Sequence, residues 1–356
     1  MRKIKNSALV LTFFKIGAIG FGGGLAMIGI LREYLVRKMK LIADGEFCKG
    51  LIIGQFLPGP FVTNFVEYYG YLLRGWSGSL ISVVSLLAPS FLIVLILSHL
   101  YFRFHDLPAL KSAFVGTMPV VIGLLIVTGF SMFRSFIKKS TEIVALGLSI
   151  CLLFLGLDMI VVVLTAGLFS IMVAKLKDNI GHSPVHLLLL FLVFAKIGAV
   201  AFGGGYGALP LMENEVVSKY HWLNLKEFTD GVAIGQLTPG PVAITATFVG
   251  YRIGGLLGSL VATIAIFLPS YLMLLVICRI MKKFGDRPII SNFVAGTRPA
   301  IIAVLCMLIL KLIVALAGNH FAYMLIAITM VLYLFRVPIA ILILIGLVLG
   351  YTFSLG

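Results

Sequence analysis

One stretch of this chain is written twice. FFKIGAIGFGGG runs from Phe13 to Gly24 and FAKIGAVAFGGG from Phe194 to Gly205, a shift of 181 residues. GQFLPGP (Gly54 to Pro60) returns as GQLTPGP (Gly235 to Pro241) at the same shift. Gly70-Tyr71, Gly78-Ser79-Leu80, Pro89-Ser90 and Gly116-Thr117-Met118-Pro119 come back 180 residues later, as Gly250-Tyr251, Gly258-Ser259-Leu260, Pro269-Ser270 and Gly296-Thr297-Arg298-Pro299. A single one-residue gap reconciles the two shifts. Motifs kept in register over half the length mark an internal duplication. The repeated residues are glycine, proline, glutamine and lysine, the wrong kind for plain apolar helices, and function is to be sought there.

Of the 356 residues 61% are hydrophobic and 12% charged, where a soluble domain carries roughly 25% charged residues. Apolar runs recur along the whole length, among them Val83–Leu97, Ile143–Leu157, Met159–Val173, Ser259–Cys278 and Ile339–Leu349. Such runs read as membrane-crossing helices, at about 20 residues per crossing. The net charge is +15, yet most basic residues sit in short loops beside apolar spans, where they set topology and meet anionic headgroups. The expected partners are therefore the lipid bilayer and, through the remaining positive surplus, a translocated anion, not nucleic acid. No soluble domain is left to house an enzyme, and no cofactor is expected. Met1-Arg2-Lys3-Ile4-Lys5 imitates a signal peptide, but no small-x-small site follows, so this reads as a retained first helix. Cys48, Cys151, Cys278 and Cys306 lack metal-ligand spacing and read as packing residues.

Along the chain, a first segment at about Ser7–Leu31 holds Lys15 and the GFGGG cluster, and a basic loop, Arg32–Glu46, follows. A second, at about Phe47–Tyr69, contains Pro58-Gly59-Pro60 near its middle. Two prolines there remove backbone donors and disfavour helix before them. Inside a bilayer such a break is tolerated only where protein or a water-filled cavity satisfies the freed backbone, so a broken or re-entrant element is expected. Spans follow at Trp76–Leu100, Pro119–Phe133, Ile143–Leu157 and Met159–Ala174. The polar stretch 175–185 then separates a first repeat, 1–174, from a second, 186–356, with elements near His186–Pro210, Gly231–Gly250, Leu256–Met281, Pro299–Ala317, Phe321–Phe335 and Pro338–Tyr351. Equivalent loops swap basic weight. Arg32, Arg37, Lys38 and Lys40 face only Lys219 and Lys226, while Arg103 and Lys111 face Arg279, Lys282, Lys283 and Arg287. Such a swap is what the positive-inside rule expects of halves in opposite orientation. The fold expected is an all-α polytopic membrane protein of the cell membrane, an inverted repeat with about 10–13 membrane segments, some broken or re-entrant.

Two readings compete for Gly22, Gly23 and Gly24 and for Gly203, Gly204 and Gly205. One is close helix packing through GxxxG. The other is a helix break whose free N–H groups and dipole attract an anion; three consecutive glycines, each costing about 1 kcal/mol against alanine, favour it. Lys15 and Lys196 lie seven residues before Gly22 and Gly203, the first glycines of each triplet, and either snorkel to an interface or meet a substrate. Gln55 and Gln236, three residues before Pro58-Gly59 and Pro239-Gly240, can donate to an oxyanion without titrating. Arg298 stands where half one has Met118 and is either an anion ligand or a loop-end cation. Proton coupling points to Glu67 and Glu213, with Asp158 and Glu215 as interfacial alternatives. No P-loop, nucleophile elbow or HExxH pattern occurs; His182 and His186 straddle Pro184 with no acid to support zinc.

The duplicated F-x-K-I-G…F-G-G-G, E-x-V-V with Trp222, Glu227-Phe228, Q-x-x-P-G-P and Gly250-Tyr251-Arg252 pattern resembles the chromate ion transporter family in its long, two-domain form. Half two carries it most fully. Half one keeps Lys15, Phe21–Gly24, Glu46, Phe47, Gln55 and Pro58–Pro60, but replaces the acidic run by Arg32-Glu33-Tyr34-Leu35-Val36 and lacks the tryptophan. The resemblance implies antiparallel halves and export of chromate, a tetrahedral dianion resembling sulfate, driven by membrane potential or a proton gradient and conferring chromate resistance. The expected substrate ligands are Lys15, Gly22–Gly24, Gln55, Pro58, Gly59, Lys196, Gly203–Gly205, Gln236, Pro239, Gly240 and Arg298. An oxyanion channel and a non-transporting structural subunit are the rival functions, and a homodimer is compatible with all of them.

Overall fold

The computed structural model describes residues 5–20, 23–104, 107–137, 140–157, 159, 161–162, 186–201, 205–284, 288–335 and 337–355. Among them the chain is helical, without a strand. In half one α1 (Asn6–Ile19) stops at Gly20, α2 (Gly23–Arg32) resumes and runs into a π-helical turn at Glu33–Lys38, and α3 (Asp44–Phe56) leads to a break before α4 (Phe61–Phe104). Then come α5 (Pro108–Ala113), α6 (Thr117–Phe136) and α7 (Ser140–Phe154). Half two repeats the order with α8 (His186–Val200), α9 (Ala208–Glu213) and its π-helical turn at Asn214–Lys219, α10 (Leu225–Leu237), a second break, and α11 (Thr245–Phe284). It closes with α12 (Pro288–Ala315), α13 (His320–Leu334) and α14 (Ile339–Leu355). The linker at 175–185 and nearly all of the span expected at Met159–Ala174 lie outside the described residues.

The duplication reaches the backbone. Lys40 (φ 50°) and His221 (φ 51°), the non-glycine residues with positive φ, are twins at the 181-residue shift. Both long helices fold back on themselves at a glycine, α4 at Arg74-Gly75 (φ 68° at Gly75) and α11 at Gly254-Gly255 (φ 56° at Gly255). Beside each bend the two arms touch through glycine. A β-carbon on Gly70 would strike the Gly78 carbonyl, and one on Gly250 the Gly258 carbonyl.

Length then decides what each arm can do. The second arm of α4, 76–104, rises roughly 43 Å at 1.5 Å per residue, enough for a hydrocarbon core of about 30 Å. The first arm, 61–73, and α3 rise only about 20 Å each. They run antiparallel as a hairpin, with Gly50 against the Tyr69 ring and Gly54 against Phe65. Phe47 meets the Phe65 ring edge-on at 4.8 Å, and the Tyr69 hydroxyl donates to the Glu46 carbonyl. In half two Gly231 against Phe248 and Gly235 against Thr245 build the same hairpin from α10 and α11. Each hairpin folds back at its Pro-Gly-Pro, where a broken or re-entrant element is expected.

The outer surface is apolar. Leu80, Val84, Leu92 and Ile96 form an exposed stripe on α4, and their twins Leu260, Ile264, Leu272 and Val276 form the same stripe on α11. Lipid is the solvent such a stripe fits. Among the described residues three helical stretches, Phe61–Phe104, Pro108–Arg134 and Val242–Arg279, are long and apolar enough to cross a membrane, and five shorter apolar helices accompany them. Inside, each half's core is completed by the other half. Phe13, Leu31, Phe65 and Tyr69 pack with Leu274 of α11. Phe194, Leu209, Phe228 and Phe248 pack with Val94 of α4, the twin of Leu274. Helix packing exchanges likewise: α6 lies on α13, and its twin α12 lies on α7.

Candidate functional site

The two hairpin tips end at the interrupted helices of the opposite half. Gly59 N–H donates to the Ala201 carbonyl at 2.7 Å, and Gly240 N–H donates to the Gly20 carbonyl at 3.1 Å. Gly20 and Ala201 are twins, as are Gly59 and Gly240, so each tip caps the other half's broken first helix. The sequence dictates which atom does this. Pro58 and Pro60, like Pro239 and Pro241, have no N–H, which leaves the central glycine amide as the only donor of each Pro-Gly-Pro. Glycine is needed there because the backbone is left-handed, φ +91° at Gly59 and +128° at Gly240.

The Pro-Ser pairs of the long arms seat the tips. The Ser90 hydroxyl donates to the Pro239 carbonyl and occupies the place of a β-carbon on Gly240. Its twin Ser270 lies with its β-carbon 2.8 Å from where one on Gly59 would stand. The carbonyls that end α3 are gathered by one side chain. Asn64 Nδ2 donates to Gly54, Leu57 and Pro58 oxygens at 3.2, 3.3 and 3.0 Å. At the end of α10 the Thr238 hydroxyl donates to the Gly235 carbonyl at 2.7 Å, and Gln236 Nε2 donates to the Tyr206 hydroxyl at 3.2 Å.

So protein groups occupy carbonyls at the helix C-termini of the crossing. The N-termini differ. The opening amides of Phe61 and Val62, and of Val242 and Ala243, have no carbonyl partner among the described residues. Gly205, at φ +95°, adjoins one of these ends, for the place a β-carbon would fill lies 3.7 Å from Val242 N and 3.8 Å from Ala243 N. Open first-turn amides and the positive end of a helix dipole are an anion site that needs no charged side chain.

The first helices are interrupted where the glycine clusters stand, after Gly20 and before Ala208. Gly23 and Gly24 open α2; Gly22, Gly203 and Gly204 lie outside the described residues, as do the side chains of Gln55 and Arg298. Lys15 and Lys196 are not brought to the crossing. Lys15 shares the exposed stripe of α1 with Leu11 and Ile19, and Lys196 that of α8 with Leu188 and Leu192. Lys196 Nζ donates to Glu215 at 3.1 Å, and Lys219 approaches the same buried carboxylate at 3.6 Å. Glu213, also buried, is neutralised by Lys311 at 2.6 Å and accepts from Ser218 at 3.1 Å. Asp230 is buried and held by Tyr101 (2.7 Å), Thr117 (2.8 Å) and Lys226 (2.9 Å), which ties α10 to α4 and α6. Glu67 is fully buried and neither of its oxygens has a hydrogen-bond partner among the described residues. Asn64, Ser90, Ser270 and Lys311 escaped sequence reasoning. The repeated Pro-Ser was a usable signal for the two serines; nothing in a single sequence marks Asn64, whose place half two fills differently.

An apolar outside, interrupted helices and two hairpin tips that each cap the other half's broken helix define a multi-pass membrane protein organised around a central crossing. A sequence model of the family described as chromate transporter matches residues 7–171 and 188–351. The chain belongs to that family, and is a transporter and not an enzyme. It is 32% identical over 327 residues to a chromate transport protein of Cupriavidus metallidurans, covering 83% of this chain and 79% of that one. An uncharacterised transporter of Methanocaldococcus jannaschii is 29% identical over 375 residues, covering 96% and 93%. No solved structure matches the chain.

Proposed function

We propose that the chain exports a tetrahedral oxyanion, chromate or its mimic sulfate, across the cell membrane as a secondary transporter working by alternating access. The halves are inverted repeats in this reading, and the substrate is held at mid-depth between the two hairpin tips. The observation that carries it is the reciprocal capping at the crossing. Each tip glycine closes the other half's broken helix, and the helix N-terminus at Val242 is left with open amides beside Gly205. Backbone donors of opposed half-helices suit an anion at the bilayer midplane. Lys15 and Lys196 stand on exposed stripes away from that place, and Arg298 is the remaining candidate for positive charge there. Because the tips are fastened across the two halves by a few hydrogen bonds, rocking one half against the other exchanges those bonds and opens the site to alternate sides. Membrane potential or a proton gradient drives the cycle.

Flux into proteoliposomes, measured for chromate, sulfate, molybdate and phosphate with and without a pH gradient, tests this. Uptake of the tetrahedral dianions chromate and sulfate ahead of phosphate is expected. Absence of oxyanion flux from correctly folded protein would refute it.

A further inference from the structure

The two halves part company at one buried place inside the folded long helix. In half two this place is neutral and self-satisfied. Thr247 and Thr263 hydroxyls share a bond of 2.7 Å, Ser259 donates to the Thr247 carbonyl at 3.0 Å, and Thr263 donates to the Ser259 carbonyl at 2.7 Å. At the 180-residue shift the twins of Thr247 and Ser259 are Glu67 and Ser79, and Ala262 is replaced by Ser82. All three half-one side chains are fully buried, and none of Glu67 Oε1, Glu67 Oε2, Ser79 Oγ or Ser82 Oγ has a hydrogen-bond partner among the described residues. Ser82 Oγ lies 2.6 Å from where a β-carbon on Gly70 would stand, one turn along from Glu67.

This is a set of oxygen groups around one carboxyl, with no cation from the protein among the described residues. Tyr68 and Tyr69 neighbour Glu67 on its own arm, Tyr69 donating to the Glu46 carbonyl. The titratable side chain of another element within electrostatic reach of Glu67 is Tyr271 of α11, whose hydroxyl donates to the Trp76 carbonyl. A lone carboxylate at membrane depth is costly and marks a functional place. Hard monovalent cations take such oxygen ligands, and ion-coupled transporters place them beside interrupted helices.

We propose that Glu67, Ser79 and Ser82 hold a monovalent cation, Na⁺ or H⁺, and that this coupling site belongs to half one alone. It rests on the transport reading above and adds the ligand class.

Thermal melting of the detergent-purified protein tests the site. It is followed in NaCl against N-methyl-D-glucamine chloride at fixed pH, and across pH at fixed Na⁺. The wild type is expected to melt higher in Na⁺ if the ion is Na⁺, or progressively higher as pH falls if it is H⁺. Glu67→Thr, which installs the half-two residue, is expected to lose whichever response the wild type shows. Ser82→Ala keeps the charge and weakens the response, which covers the case in which Glu67→Thr does not fold. Identical responses of wild type and both variants in the two series overturn the site. Chromate flux in proteoliposomes separates the two levels. Flux that ignores both Na⁺ and pH gradients overturns the cation site and leaves transport standing; no flux, with the melting response intact, overturns the transport reading alone.

Discussion

Gly240 sits at φ +128°, and a methyl group added there would run into the Ser90 hydroxyl. Gly318 is also left-handed, at φ +84°, but looks into open space. The pair separates backbone strain from packing. Alanine in left-handed backbone costs about 1–2 kcal/mol, and forcing atoms into a filled place adds about 1–3 kcal/mol. Gly240→Ala should therefore melt well below the wild type and Gly318→Ala only slightly, read as detergent melting temperatures; equal shifts would mean that the tip is not seated on Ser90. The same comparison explains which residues a sequence displays. Pro-Gly-Pro announces its single donor because proline cannot supply one. Lys15 and Lys196 were conspicuous for their charge, yet charge does not say which face of a helix a residue is on. The exposed i, i+4 stripe through Leu11, Lys15 and Ile19 does, and it turns both lysines outward.

At the scale of elements, the α3–α4 hairpin depends on Asn64 more than on any apolar contact at its tip. Three carbonyls released by Pro58 and Pro60 converge on one amide group. Each net hydrogen bond is worth about 1 kcal/mol, and leaving a buried acceptor unsatisfied costs about 1–3 kcal/mol. Asn64→Leu is therefore expected to destabilise the protein by about 2–4 kcal/mol and to abolish flux, whereas Asn224→Ala, at the exposed N-cap of α10, costs about 1 kcal/mol. A denaturant or thermal series checks the ranking. The interruptions after Gly20 and at both Pro-Gly-Pro motifs and the spans between were legible, since glycine and proline act on the local chain. The bends at Gly75 and Gly255 were not, nor was the capping of Gly20 by Gly240 and of Ala201 by Gly59. These contacts join residues about half the chain apart, and their strength lies in backbone groups that every residue carries.

The whole molecule behaves as two copies of one plan that complete each other. Val94 enters the core of half two, and its twin Leu274 enters the core of half one. This exchange does not fix how the halves lie in the bilayer; the swap of basic residues between equivalent loops is what favours inversion. Lys38 and Lys219 are exposed twins in the π-helical turns, 181 residues apart. If the halves are inverted, a membrane-impermeant maleimide should label Lys38→Cys and Lys219→Cys from opposite sides of sealed vesicles. Labelling of both from one side would make the repeats parallel. The central claim is narrower still: an oxyanion rests on backbone amides beside Gly205. An alanine there puts a methyl 3.7 Å from Val242 N without a clash, at about 1–2 kcal/mol of backbone strain, so the fold survives while the cradle fills. Chromate uptake by Gly205→Ala in proteoliposomes, at protein incorporation matched to the wild type, is the most direct test. Loss of most uptake from a protein that still purifies as the same species is the predicted result, and uptake at the wild-type rate would contradict it.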